Sequence, residues 1–88
     1  MQSTSDENHT IQVAAAKKLV KSGMDKYYDE DFKGAIDDFT KAIELDSNFV
    51  DAYSSRGYAK NKLEDYKGAI ADFSRYLLDI LATDFDIQ

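Results

Sequence analysis

The chain has 88 residues, of which 43% are hydrophobic and 32% charged, and its formal net charge is −6. A chain of this length forms one small domain with a thin core, and its apolar fraction is too high for a disordered polymer. Because the basic residues are scattered among a larger number of acids, no nucleic acid is expected as a partner. The sequence contains no cysteine, which excludes disulfides and thiolate chemistry.

The first ten residues, Met1 to Thr10, are polar, and we expect them to form a mobile tail. They contain no apolar run that could serve as a secretory signal or a membrane span, so we expect a cytoplasmic protein without a membrane partner. His9 is the only histidine, and it lies in this expected tail without an obvious catalytic partner. We therefore interpret it as a solvated tail residue rather than a catalytic group.

An internal repeat organises the rest of the chain. Shifting the sequence by 34 residues places Gly23–Phe39 on Gly57–Phe73, and ten of these seventeen positions are identical. The identical pairs are Gly23/Gly57, Lys26/Lys60, Glu30/Glu64, Asp31/Asp65, Lys33/Lys67, Gly34/Gly68, Ala35/Ala69, Ile36/Ile70, Asp38/Asp72 and Phe39/Phe73. Chance does not produce such a match, so one structural unit is used twice.

Apolar residues recur within each unit at spacings of three and four. In the first unit they include Phe32, Ile36 and Phe39, and this period predicts amphipathic helices. The chain has no proline, so no helix interior is interrupted. The expected helices cover about 10–28, 31–45, 49–62 and 65–83.

The predicted helices form two antiparallel hairpins. The segment Asp46–Asn48 contains residues that end one helix and begin the next, so it separates the hairpins. Gly23 and Gly57 lack side chains and would let the two helices of each hairpin approach closely, with Ala35 and Ala69 facing them.

Together these features give a pattern that resembles the tetratricopeptide repeat family, from about Ala16 to Asp79. The positions that match its small and aromatic signature are Gly23, Phe32, Ala35, Phe39 and Ala42 in the first unit and Tyr53, Gly57, Tyr66, Ala69 and Phe73 in the second. The chain departs from the pattern before each glycine, where the usual leucine is Ser22 or Arg56.

The resemblance implies an all-α fold in which two helix hairpins stack as a short α-solenoid with an extended C-terminal helix. The helical domain would cover 11–83, with repeats at about 16–49 and 50–83, and 84–88 would be a C-terminal tail. No cofactor and no metal is expected.

The resemblance also implies a concave groove along the first helix of each unit, which holds a peptide or helical segment of a protein partner. The groove residues carried over by position are Lys17, Val20, Met24, Tyr27, Ser54, Tyr58, Asn61 and Lys62. Family members that grip a chaperone's C-terminal carboxylate use Lys and Asn at places that here hold Val20, Met24 and Ser55, so we do not expect that ligand. Ordinary helix packing explains the groove positions as well and stays an open alternative.

The C-terminal helix carries more apolar residues than one hairpin can cover. The residues expected to form an oligomer interface are Tyr76, Leu77, Ile80, Leu81 and Phe85. Because contiguous apolar patches mark interfaces, we expect a homo-oligomer, formed by pairing of this helix or by exchange of hairpins across Asp46–Asn48. The alternative is that the run folds back as a cap over its own hairpin.

Two acidic pairs, Asp37/Asp38 and Asp84/Asp86, lack the spacing of a calcium-binding loop, and we interpret them as solvated helix faces. The function predicted from the sequence is protein–protein interaction rather than catalysis. Homo-oligomerisation through the C-terminal helix is the alternative function.

Overall fold

The computed structural model describes the backbone of residues 4–87 and the side chains of residues 7–82. This part of the chain forms four α-helices and no strand. The helices are α1 (Thr4–Tyr28), α2 (Phe32–Leu45), α3 (Val50–Lys62) and α4 (Tyr66–Ile87). The all-α fold and the order of the four predicted helices are therefore confirmed.

The helices pack against one another in chain order. α1 packs on α2, α2 packs on α3, and α3 packs on α4, while α1 also touches α3. In the described part of the chain, no Cα atom of α4 lies within 8 Å of α1 or α2. The molecule is thus two helix hairpins joined through the α2–α3 contact, and α4 has a helical neighbour on one side only.

The turn between α1 and α2 is closed by backbone hydrogen bonds at the end of α1 and by a side-chain cap at the start of α2. Glu30 adopts a left-handed conformation with a φ of 66°. Its N–H donates to the carbonyl of Tyr27 over 3.0 Å, and the N–H of Asp31 donates to Lys26 over 2.8 Å, which is the Schellman pattern. The Asp31 carboxylate then accepts from the N–H of Gly34 and caps α2.

The turn between α3 and α4 repeats this geometry. Glu64 is left-handed with a φ of 64°. The N–H of Asp65 donates to the carbonyl of Lys60, and its carboxylate accepts from the N–H of Gly68 over 3.0 Å. The sequence identity between the two units therefore corresponds to one turn structure used twice.

The core consists of two small clusters of fully buried side chains. Their members are Ala16, Ala42 and Ala52 in the first cluster and Ala35, Phe39 and Ala59 in the second. Because five of the six are alanine, the helices lie close together and little apolar volume is enclosed. Phe39 is the one large side chain among the described residues that is fully buried.

Two glycines allow the close approach of the helices in each hairpin. A Cβ atom on Gly23 would lie 2.6 Å from a ring carbon of Phe39, and a Cβ atom on Gly57 would lie 2.7 Å from the ring of Phe73. The predicted close approach of the helices at the glycines is confirmed. The atoms nearest to each glycine belong to the phenyl rings of Phe39 and Phe73.

Both outer helices are longer than the sequence patterns predicted. α1 begins at Thr4 instead of near residue 10, so residues 4–10 belong to a helix rather than to a tail. No proline or glycine lies in that stretch, and a helix exposed on all sides is expected to be polar. α4 continues to Ile87, so most of the predicted tail at 84–88 is helical as well.

Candidate binding cleft

A cleft of about 300 Å³ opens between the first helices of the two hairpins. Its walls are formed by Met24, Tyr27 and Tyr28 of α1 and by Ser55 and Tyr58 of α3. Ligand pockets in proteins range upwards from roughly this volume. The cleft therefore suits one or two side chains of a polypeptide better than a large cofactor.

The cleft contains three of the predicted groove residues, Met24, Tyr27 and Tyr58. Tyr28 and Ser55 also line it but were not predicted as groove residues. The repeat register could have identified Tyr28, because it is equivalent to Lys62, which the prediction included. Ser55 stands at one of the places where family members grip a carboxylate ligand, so the resemblance marked this position although it was not included among the groove residues.

The remaining predicted groove residues lie outside the cleft. Val20 is half-buried and packs against both core clusters, so ordinary helix packing accounts for it. The Ser54 hydroxyl donates to the backbone carbonyl of Asp51 over 3.0 Å. Asn61 and Lys62 are exposed in the last turn of α3.

Lys17 belongs to a separate concave surface on α1 with a volume of about 380 Å³. The other residues along that surface are His9, Thr10, Val13 and Ala14. His9 is exposed on a helix and not in a tail as predicted. It lies on a different surface from the tyrosine cleft.

The tyrosine rings of the cleft are held by edge-to-face aromatic contacts. The Tyr27 ring centroid lies 5.7 Å from that of Tyr28 and 5.3 Å from that of Phe32, and the Tyr58 and Phe73 centroids are 5.1 Å apart. Even so, Tyr28 is 73% exposed and Tyr58 is 58% exposed. The Tyr28 and Tyr58 rings are therefore oriented from one side while the rest of their surface is open to a ligand, whereas Tyr27 is half-buried and packs against the second core cluster.

A buried carboxylate joins the two helices of the first hairpin. Asp38 on α2 is 6% exposed, and it accepts a hydrogen bond of 2.6 Å from the Ser22 hydroxyl and an ion pair of 3.0 Å from Lys26. Burial alone would raise the pKa of Asp38, but the hydrogen bonds from Ser22 and Lys26 and the lysine charge outweigh it and lower the pKa. The interpretation of Asp38 as a solvated residue is wrong, whereas its neighbour Asp37 is exposed.

The second hairpin holds its equivalent carboxylate with a different set of donors. Asp72 accepts from Nε and Nη2 of Arg56 over 2.8 and 2.7 Å, and Lys60 lies 3.1 Å away. The hydrogen bonds with Asp72 raise the pKa of Arg56. Another guanidinium nitrogen donates to Thr40 of α2 over 3.2 Å, which links the two hairpins. The departures from the family pattern at Ser22 and Arg56 therefore supply the donors for the buried carboxylates.

The predicted oligomer residues on α4 do not all face the same way. Leu77 is 56% exposed and Leu81 is 51% exposed, whereas Tyr76 and Ile80 are half-buried. Phe85 lies outside the described side chains. Because α4 continues as one helix to Ile87, the apolar run does not fold back over its own hairpin.

Two large aliphatic residues on α4 are also exposed but were not among the predicted interface residues. Ile70 and Leu78 are each 64% exposed. Ile70 is recognisable from the sequence as the equivalent of Ile36, but its exposure depends on which helices pack around α4.

No family model, curated protein or solved structure matches the chain. Within residues 4–87, no helix is long and apolar enough to span a bilayer. The described side chains include no group of three or more His, Cys, Asp or Glu residues placed to hold a metal ion. The resemblance to the tetratricopeptide repeat family therefore rests on the residues of the chain itself.

Proposed function

We propose that this chain is a two-unit helical repeat module of the tetratricopeptide type, stacked as a short α-solenoid, that binds a peptide or helical segment of a protein partner. The observation that carries the proposal is the pair of exposed tyrosines, Tyr28 on α1 and Tyr58 on α3, that line one cleft. Large aromatic groups open to solvent in a concave site are typical of recognition surfaces. The proposed role is binding rather than catalysis, in the cytoplasm.

The chemistry of the cleft favours an uncharged and largely apolar ligand segment. Its lining consists of three tyrosines, Met24 and Ser55, and none of these side chains is charged at neutral pH. Tyrosine offers a wide apolar surface with few torsions to fix, and methionine adapts its shape to a ligand. The hydroxyl groups add hydrogen bonds that orient the bound segment.

The contacts behind the cleft support a preformed site. The Tyr58 ring rests on Phe73 and the Tyr27 ring rests on Phe32, so both are placed before a ligand arrives. The lysines nearest in sequence, Lys26 and Lys60, bind carboxylates on the second helix of each hairpin. Ordering costs on binding are therefore small, and the cleft stays neutral.

The test begins with selection of peptides from a random library on the immobilised protein. Synthetic versions of the selected peptides are then titrated by fluorescence anisotropy against the wild type and against Met24→Ala/Tyr58→Ala. Truncating aromatic contacts of this kind costs about 2 kcal/mol or more, so we expect affinity to fall at least roughly 30-fold.

Tyr66→Ala is the matched control, because Tyr66 is 56% exposed on α4 and Tyr58 is 58% exposed. The control variant should bind the peptides as tightly as the wild type. Equal affinity for wild type and the Met24→Ala/Tyr58→Ala variant would rule out this cleft as the binding site.

A further inference from the structure

We infer that α4 of one chain pairs with α4 of a second copy to form a two-fold symmetric dimer. The proposed interface lies on the outer side of the second hairpin and contains no residue of the tyrosine cleft. α2 and α4 are equivalent helices in the two repeat units, but different elements pack on them.

Apolar residues at equivalent positions pack against other helices on α2 but are exposed to solvent on α4. Ile36 and Ile43 of α2 are half-buried and pack against clusters that include alanines of α3. Their equivalents, Ile70 and Leu77, are 64% and 56% exposed. α4 therefore presents the same docking positions without the helix that covers them on α2.

The apolar face of α4 is also wider than that of α2. Glu44 and Ser47 are polar and exposed near the end of α2, and their equivalents are Leu78 and Leu81. Both leucines are more than half exposed. A helix surface that meets only water gains nothing from leucine at these positions, so the broader face indicates a contact that α2 does not make.

The spacing of the exposed residues is that of a helix-pairing seam. Ile70, Ser74, Leu77 and Leu81 follow one another at intervals of four, three and four residues. This is the a/d spacing along which two α-helices interlock, and Leu78 flanks it. None of these side chains is charged, so two copies can meet along this seam without like-charge contacts, although each chain has a net charge of −6.

In a head-to-tail stack, α1 of a second copy would pack on α4 in the way that α3 packs on α2. The described residues of α1 do not provide a matching surface. Ala52 and Ala59 are the buried alanines with which α3 packs towards α2. Their equivalents on α1 are Lys18 and Asp25, and both are exposed. Burying these charges against leucine would be costly, so α1 of a second copy does not fit on α4.

The contact must therefore use the same surface of α4 on both chains. When two identical helices contribute the same patch, the interface has two-fold symmetry and growth stops at the dimer. No exchange of hairpins across Asp46–Asn48 is needed, because the leucines are already exposed in the single chain.

The experiment is light scattering over a wide range of protein concentrations. The wild type should reach twice the 9.9 kDa of one chain. The variant Leu77→Glu/Leu81→Glu should stay at 9.9 kDa. Both leucines are more than half exposed, so the variant should keep its helical circular dichroism spectrum. Ile11→Glu is the matched control, since Ile11 is 65% exposed on α1, and it should remain a dimer.

Thermal unfolding gives a second measurement. The midpoint of the wild type should rise with protein concentration, and that of Leu77→Glu/Leu81→Glu should not. A wild type that stays monomeric at every concentration would overturn the inference, and so would a mass that grows without limit or a variant that remains dimeric. Peptide titration of the monomeric variant tests the cleft separately, because the cleft contains no residue of α4.

Discussion

The two hairpins share one backbone design but use different side chains to hold their helices together. In the first, Asp38 is bound by a hydroxyl and a partly exposed lysine. In the second, Asp72 accepts hydrogen bonds from Nε and Nη2 along one edge of the Arg56 guanidinium, and the third nitrogen, Nη1, donates to Thr40. A bidentate arginine is a stronger and more directional partner than a lysine. The polar contact therefore contributes more to the stability of the second hairpin than to that of the first.

The apolar packing, in contrast, is more extensive in the first hairpin than in the second. Phe39 lies under α3 and is fully buried, whereas its equivalent Phe73 is half-buried because no further helix covers α4. Identical sequence positions thus have different energetic importance. The difference comes from the neighbours of each hairpin rather than from its own residues.

The largest expected effect tests this contrast in packing. Phe39→Ala should cost about 3–5 kcal/mol of unfolding free energy, since it empties the core behind Gly23. Phe73→Ala should cost about half of that, because part of the ring is already in water. Urea denaturation of the two variants in the Leu77→Glu/Leu81→Glu background, in which the α4 face stays exposed, measures the difference. Equal losses in that background would contradict the contrast in packing.

A smaller effect is expected from the buried carboxylates. Asp72→Ala should cost about 3 kcal/mol, because it leaves the Arg56 guanidinium, only 17% exposed, without its partner. Asp38→Ala should cost about 1–2 kcal/mol, because the Lys26 side chain is 42% exposed and can return to water. The two values come from the same urea series. A reversed order would contradict the ranking of the two polar contacts.

The smallest expected effect concerns pH and isolates the first hairpin. The pKa of Asp38 is lowered in the folded chain, so its contribution to stability is complete above the ordinary carboxyl pKa of about 4 and is lost as the pH falls through the lowered value. Acid titration followed by circular dichroism should therefore show a shallower loss of stability for Asp38→Asn than for the wild type. Ser22→Ala should give an intermediate slope, because one donor to the carboxylate is missing.

Much of the local structure could be predicted from the repeat. The period of three and four residues predicted the four helices, and the glycines marked where the helices of each hairpin touch. Of the cleft residues, Met24, Tyr27 and Tyr58 were predicted. These features depend on residues close in sequence or on one repeat register, which a single sequence displays directly.

The sequence by itself determined the helices, their order and the repeated turn, because the helix period and the capping aspartates act within a few residues. Only the tertiary structure decided which polar residues are buried and which leucines are bare. Asp38 was interpreted as a solvated residue, but donors from the partner helix bind it, and Asp72 is bound in the equivalent way. Ile36 and Ile70 occupy equivalent positions in the two repeats. Ile36 is packed because α3 lies beside it, whereas Ile70 has no such neighbour and is exposed. Burial depends on which elements pack side by side, and that is a property of the whole fold.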